Sequence, residues 1–184
     1  VENQVPIILY DDTNSALENP VFGGNNAGIR LYGSDFDRNG NLWVLQSLTD
    51  DALLRLSPNG QFQSFDVSNI SGGRDELAYS KLAISREGFV FFSPVQTGLA
   101  AFNPTTNQFR AIGADDTGGG LPSTDIRALA FDAQNRLWIG TLRGLRVLFN
   151  PGTFFSNTAD VSASAIIFAD DEGVGQELLF EQTI

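Results

Sequence analysis

Residues Asp125–Asn150, DIRALAFDAQNRLWIGTLRGLRVLFN, decide the fold. Ile126 to Phe131 alternates as a half-buried strand does, Asp132–Asn135 supplies turn formers, and Arg136–Thr141 resumes as an apolar strand centred on Trp138. That pattern is a hairpin. A second reversal is expected at Leu142–Gly144, where Gly144 can take a positive φ, followed by a third strand at Leu145–Phe149 that Asn150-Pro151 stops. Three short antiparallel strands so close in sequence form one sheet unit.

The unit recurs on either side of itself. Ile29–Leu56 is a close copy, with Asp37-Arg38-Asn39-Gly40 in the turn and Trp43 in the Trp138 place. Lys81–Asn103 is a weaker one, with Arg86-Glu87-Gly88 in the turn, Phe91 in the tryptophan place and Gly98-Leu99 answering Gly144-Leu145. The aromatic position thus repeats at spacings of 48 and 47 residues. A period of about 40–50 residues with three or four strands each is the signature of a propeller blade.

The intervening segments repeat as well. Gln61–Phe65 and Gln108–Ile112 alternate as short outer strands, and Ile7–Tyr10 and Ala165–Phe168 have the same form. The expected fold is all-β: a partial β-propeller of about three complete four-stranded antiparallel blades, with flanking strands of neighbouring blades at 5–11 and 178–184. The blade repeats span about 29–70, 77–117 and 121–170 of a single propeller segment, 1–184, with no internal domain boundary. Asn150 to about Ser162, rich in Pro, Gly, Ser, Thr and Asn, is expected to be a surface loop inserted in the third blade. Alignment of Ile184 with Ile126 carries the next blade past the last residue, so the chain is expected to stop within a blade.

Composition narrows the function. A hydrophobic content of 42% in 184 residues is enough for a core. The net charge of −11 repels phosphate backbones and anionic membrane surfaces, which argues against a nucleic-acid partner. No apolar run approaches the ~20 residues of a spanning helix, so membrane insertion is not expected. Absence of cysteine excludes disulfides and thiolate chemistry, and absence of methionine marks a mature, trimmed or partial chain. Absence of histidine removes the Ser-His-Asp arrangement, imidazole metal ligands and the commonest general base near neutral pH.

Individual residues read first as scaffold. Trp43, Phe91 and Trp138 are expected to pack between adjacent blades; the alternative, an aromatic platform for sugar rings, is disfavoured by equivalent positions in all three repeats. Asp37–Asn41 resembles a calcium loop only superficially, because glycine falls at the fourth place and Leu48 stands where a bidentate Glu is needed. Asn39-Gly40 is read instead as a primed hairpin turn. The acidic groups Asp11-Asp12, Asp50-Asp51, Asp115-Asp116 and Asp170-Asp171-Glu172 are read as turn caps, most of them on one rim, with a cation site or glycoside chemistry as alternatives. Arg127, Arg136, Arg143 and Arg146 cluster in the third blade, but alternate turns point to opposite rims, which argues against a single basic patch. Lys81 and the tyrosines Tyr10, Tyr32 and Tyr79 have no neighbours that mark them as catalytic. No catalytic, cofactor-binding or metal-binding residue is assigned, the chain is expected not to be an enzyme, and no cofactor is implied.

Phe131-Asp132-x-x-Asn135-Arg136-Leu137-Trp138-Ile139-Gly140-Thr141-x-x-Gly144-Leu145 resembles the core of the two-component regulator propeller repeat, D-x-x-G-x-L-W-I-G-T-x-x-G-L, with Asn135 in the glycine place. Asn14–Leu17 and Gly120–Ser123 resemble its S-x-L-P-x-N lead-in. The repeat occurs in periplasmic sensor halves of hybrid two-component proteins and in exported Bacteroidetes proteins, so it specifies fold better than function. Gly173–Ile184, GVGQELLFEQTI, further resembles the G-x-x-Q-E-L-L-x-E-Q segment of PorZ-type proteins, surface components of the type IX secretion system. That resemblance implies a non-enzymatic scaffold, exported to the cell surface or periplasm, whose partners are proteins of a secretion or attachment complex and lipopolysaccharide or a glycan. A periplasmic glycan-sensing domain of a hybrid regulator is the alternative, and a propeller lyase or lactonase a third. Open blade faces imply self-association as well.

Overall fold

The computed structural model describes residues 8–71, 79–95, 97–114, 119–156, 161–169, 173 and 175–177. Val21–Phe22 (β1) and Asn25–Asn26 (β2) form a small hairpin. Leu31–Phe36 (β3), Leu42–Gln46 (β4), Leu53–Leu56 (β5) and Phe62–Phe65 (β6) follow as one antiparallel sheet in sequential order. Tyr79–Ile84 (β7), Val90–Pro94 (β8), Leu99–Asn103 (β9) and Gln108–Ile112 (β10) repeat it. Ile126–Phe131 (β11), Leu137–Thr141 (β12) and Gly144–Leu148 (β13) make a third sheet, and Ile167–Ala169 (β14) pairs with Gly175–Glu177 (β15). The molecule is an all-β partial propeller with three consecutive blades.

Registers superpose the repeats. Trp43 pairs with Arg55, Phe91 with Ala101 and Trp138 with Val147, so the three aromatics occupy one lattice position. Because side chains alternate across a strand, each blade presents one face to its predecessor and the other to its successor. Trp43, Leu45, Leu53 and Phe65 of the first blade meet Leu82, Val90, Phe92, Ala100 and Phe102 of the second in one buried cluster. Ala83, Phe91, Leu99, Ala101 and Ile112 of the second blade meet Leu137, Ile139 and Leu148 of the third in another. The core is therefore two inter-blade layers.

Two sequence expectations need correction here. The third blade has three strands among the described residues: Ser164 alone bridges to Val147, with reciprocal backbone bonds of 2.9 Å, before the chain leaves to form the β14–β15 hairpin. The stretch expected to be its outer strand, Ala165–Phe168, is thus paired elsewhere. Nor is Asn150–Ser162 simply a surface loop: Pro151–Thr153 forms a 3-10 turn, Pro151 is buried, and Phe154 is fully buried against Phe91 at a centroid distance of 5.1 Å. An aromatic that reaches an existing cluster gains more from burial than a loop gains from solvation. The flanking strand expected at 178–184 lies outside the described residues, as does 5–7, and residues 8–11 are not in a strand.

Candidate functional site: turns, rims and inter-blade grooves

The turn between the first two strands is built around a carboxylate. Asp37 Oδ1 accepts from the amides of Asn39 (2.9 Å) and Asn41 (3.0 Å), and Oδ2 accepts from Asn41 Nδ2 (2.7 Å) and the Trp43 indole Nε1 (2.9 Å). Asp132 does the same with the amides of Gln134 (3.0 Å) and Arg136 (2.9 Å), Arg136 Nε (2.6 Å) and Trp138 Nε1 (2.9 Å). In the second blade Ser85 replaces the aspartate and Phe91 the tryptophan, and Ser85 Oγ accepts only from the Phe89 amide among the described side-chain bonds to that loop. The donor and acceptor are lost together.

These turns correct the primed-turn reading. Gly40 donates to the Asp37 carbonyl at 3.0 Å, and Gly40 has φ +78 while Asn39 is not in the left-handed region. This is a three-residue connection with one left-handed residue at its end, the arrangement that forms a bulge. Gly88 (φ +87) and Asn135 (φ +65) hold the same position in the other blades. Asn135 tolerates the glycine place and gains an inter-blade role there. Its Nδ2 donates to both Glu87 carboxylate oxygens at 3.1 Å, its Oδ1 accepts from the Arg86 amide at 2.9 Å, and Arg86 Nη2 donates to the Ala133 carbonyl at 3.0 Å.

Electrostatics follow from these bonds. Partial burial pushes the Asp37 carboxyl up, but the Asn41 side chain, Trp43 indole and two backbone amides outweigh it, and its pKa lies below the ordinary value of 3.8. Asp132 is held well below the usual carboxylate range: desolvation again opposes, and Trp138, the Arg136 amide and the Arg136 guanidinium prevail. These are ionised, hydrogen-bonded anchors with their acceptor capacity in use.

The other acidic positions divide. Asp11 Oδ1 accepts from the Thr13 amide (2.8 Å) and hydroxyl (2.6 Å), a turn cap as expected. Asp51 accepts from Ser64 Oγ at 3.2 Å, while Asp115-Asp116 and Asp170-Asp171-Glu172 lie outside the described residues. Among the described residues, no three His, Cys, Asp or Glu side chains are grouped as a metal site would require. The third-blade arginines do not form one patch: Arg127 pairs with Asp125 at 2.6 Å, Arg136 with Asp132 at 2.6 Å, and Arg146 with Glu177.

Concave surface remains between blades. A groove of about 410 Å³ between the first and second is lined by Arg55, Gln63, Phe65, Asp66, Pro104 and Phe109. One of about 400 Å³, bounded by Gln108, Phe109, Arg110, Phe155 and Ser156, separates the second blade from the third-blade insertion. Arginine guards both: Arg55 lies 5.5 Å from the Trp43 centroid, and Arg110 lies 5.8 Å from that of Phe154 while Nη1 donates to the carbonyls of Phe154 (2.8 Å) and Ser156 (3.3 Å). A smaller recess of about 200 Å³ gathers Phe36, Ile84 and Phe131 with the turns of all three blades. The carboxylates described above are committed to turns and ion pairs.

The fold and these turns define a segment of a β-propeller. The family model described as "two component regulator propeller" matches residues 120–143. Among solved structures, the fold is similar to PorZ, an essential surface component of the type-IX secretion system of Porphyromonas gingivalis, with a TM-score of 0.76 and 18% identity over 95% of this chain and 25% of that one. It is similar to the extracellular domain of a hybrid two component system from B. thetaiotaomicron, with a TM-score of 0.55 and 18% identity over 96% of this chain and 23% of that one. Virginiamycin B lyase from Staphylococcus aureus follows at a TM-score of 0.50 and 10% identity, over 81% of this chain and 48% of that one. The chain spans about a quarter of the length of the first two structures. No curated protein matches the sequence. Among the described residues no helix is long and apolar enough to cross a membrane.

Proposed function

We propose that this chain is a non-enzymatic propeller scaffold of a type IX secretion system, exported to the cell surface or periplasmic space, where it holds protein partners of a secretion or attachment complex. The observation that carries this reading is the similarity to PorZ. At equal identity and nearly equal coverage, the TM-score is 0.76 for PorZ against 0.55 for the hybrid-system domain, so the inter-blade geometry is closer to the secretion component. The sequence GVGQELLFEQTI at 173–184 supports the same choice. Non-enzymatic character is supported by the absence of histidine and by the commitment of Asp37, Asp125, Asp132 and Glu177 to turns and ion pairs.

Charge shapes the partner. With a net −11, the surface disfavours an anionic glycolipid, so lipopolysaccharide would be engaged at a locally basic position or through a partner protein. A glycan-sensing extracellular domain is the second reading, favoured by the family match at 120–143 and by the hybrid-system structure. Cross-linking and affinity purification of the native full-length protein, with mass spectrometry of the polypeptide that contains these residues, separates the two. Co-purifying secretion or attachment components, with no kinase in the same polypeptide, are expected; a membrane span followed by a kinase domain contradicts the proposal.

A further inference from the structure

The two blade joints carry the same row of side chains. Trp43, Arg55 and Gln63 lie side by side across β4, β5 and β6, and Phe91, Ala101 and Arg110 across β8, β9 and β10. Cross-strand partners share a face of the sheet, so each row points at the blade that follows. Each row also ends in a guanidinium set over an aromatic ring, Arg55 over Trp43 and Arg110 over Phe154. The first blade supplies it from the third strand and the second blade from the outer strand of the same cross-strand pair.

What meets that guanidinium differs. At the second joint the third-blade insertion delivers Phe154, and Arg110 holds it by one aromatic ring and the carbonyls of Phe154 and Ser156. The joint therefore already binds a peptide segment, by a ring and two backbone acceptors. At the first joint the corresponding loop of the next blade is Pro104–Asn107, kept tight by Asn103 Oδ1, which accepts from the Thr105 amide at 2.9 Å. This loop carries no aromatic residue, and the joint stays open as the groove of about 410 Å³. Arg55 Nη2 donates to Gln63 Oε1; among the described residues, its other donors and the Asn107 side chain have no hydrogen-bond partner. Phe109, half-buried and tilted against Phe102 at 4.5 Å, supplies an apolar wall beside them.

We infer that the groove between the first and second blades docks an extended, aromatic-bearing peptide segment of a partner protein, its ring against Phe109 and Arg55 and its backbone carbonyls accepting from Arg55. The chain's own Pro151–Ser156 at the next joint is the precedent for each of these contacts. A cavity of about 150 Å³ is enough to hold a benzene ring, so the groove has room for a ring and its flanking backbone. Asp66 on the groove wall and the net charge of −11 select an uncharged or basic segment over an acidic one. The inference rests on the equivalence of the two joints and not on the secretion reading.

Photo-cross-linking of the full-length protein tests this. The probe is an acetylated, amidated peptide with the sequence of residues 151–156, PGTFFS, carrying benzoylphenylalanine in the place of Phe154. Mass spectrometry is expected to map the adducts to residues 55–66 and 104–109, and excess plain PGTFFS suppresses them whereas PGTAAS does not. At subsaturating probe, Arg55→Ala lowers the yield about tenfold, the effect of losing one hydrogen bond to a charged group. Pro104→Trp, which fills the groove from its loop, abolishes the adducts with the melting temperature unchanged, and so decides the matter should Arg55→Ala destabilise the joint. Adducts outside these stretches, a yield insensitive to both variants, or displacement by malto- or xylo-oligosaccharides but not by plain PGTFFS overturns the inference. Such a failure leaves the scaffold reading, which co-purification tests, untouched.

Discussion

At the scale of single residues, Asp37 and Asp132 each tie a turn to the central-strand tryptophan of their blade, which in the first blade lies in an inter-blade joint: each carboxylate accepts four hydrogen bonds, one of them from the indole. Removing the acceptor strands a buried N–H, which costs about 1–3 kcal/mol. Asp37→Ser is therefore expected to lower unfolding free energy by that amount in the Trp43 background and by much less in Trp43→Phe, where the chain reproduces its own Ser85–Phe91 pair. Chemical denaturation of the four proteins reads the coupling as a double-mutant cycle; additive losses would contradict it. The same carboxyls set the acid limit. Their folded pKa values lie below the unfolded value of 3.8, so their contribution is present above that value and is lost as pH falls through it towards the folded pKa. Melting temperature should hold level down to about pH 5 and drop below about pH 4, and Asp37→Asn with Asp132→Asn should flatten that drop. Sequence periodicity reached the tryptophans but not their anchors. The clue was present, because aspartate precedes the turn only in the two repeats that carry tryptophan, but a hydrogen bond across six residues leaves no periodic trace. The primed turn was misread for a related reason: Asn-Gly favours it locally, while the aspartate fixes a bulged connection instead.

At the scale of elements, the third blade departs from the repeat at both of its outer parts. Phe154 turns the Pro151–Ser156 part of the insertion into a filler of the inter-blade layer, and Arg110 holds it by the carbonyls of Phe154 and Ser156. Phe154→Ala should cost about 3–5 kcal/mol, as for other fully buried aromatics. Arg110→Ala should leave the core and accelerate amide exchange within Pro151–Ser156; hydrogen exchange with mass spectrometry measures both, and uniform protection in the Arg110 variant would count against the clasp. At the tight turn between β8 and β9, Gly98 has φ +94 and an added Cβ would run into the Ile112 carbonyl. Gly98→Ala is expected to lower the melting temperature through both strain and contact. Twelve of the strand segments were legible as alternation or apolar runs bounded by turn formers, from Leu31–Phe36 to Gly144–Leu148 and Ile167–Ala169. The β1–β2 hairpin was not, since strands of two residues are too short to alternate, although Gly23-Gly24 between them is a turn signal. The pairing of β14 with β15 rather than β13 was also beyond sequence reading, because strand partners are chosen by tertiary position and not by composition.

At the scale of the whole molecule, the central aromatics order the blades. Two joints are closed among the described residues, with Trp43 and Phe91 fully buried in them, whereas Trp138 is half-buried and Phe36 is 65% exposed. The repeat made that order legible from spacing alone. The rims were less so: Arg136 is satisfied by Asp132 and Arg146 by Glu177, and no spacing in the sequence distinguishes a satisfied pair from a recognition site. Single-tryptophan variants offer the most direct test of the joint geometry. With Trp138→Phe, the remaining Trp43 should emit at short wavelength and resist acrylamide quenching, as a fully buried indole does. With Trp43→Phe, the remaining Trp138 should emit further to the red and be readily quenched. Equal shielding of the two, or a more accessible Trp43, would contradict the placement of the first aromatic inside a blade joint and the second outside the two buried layers.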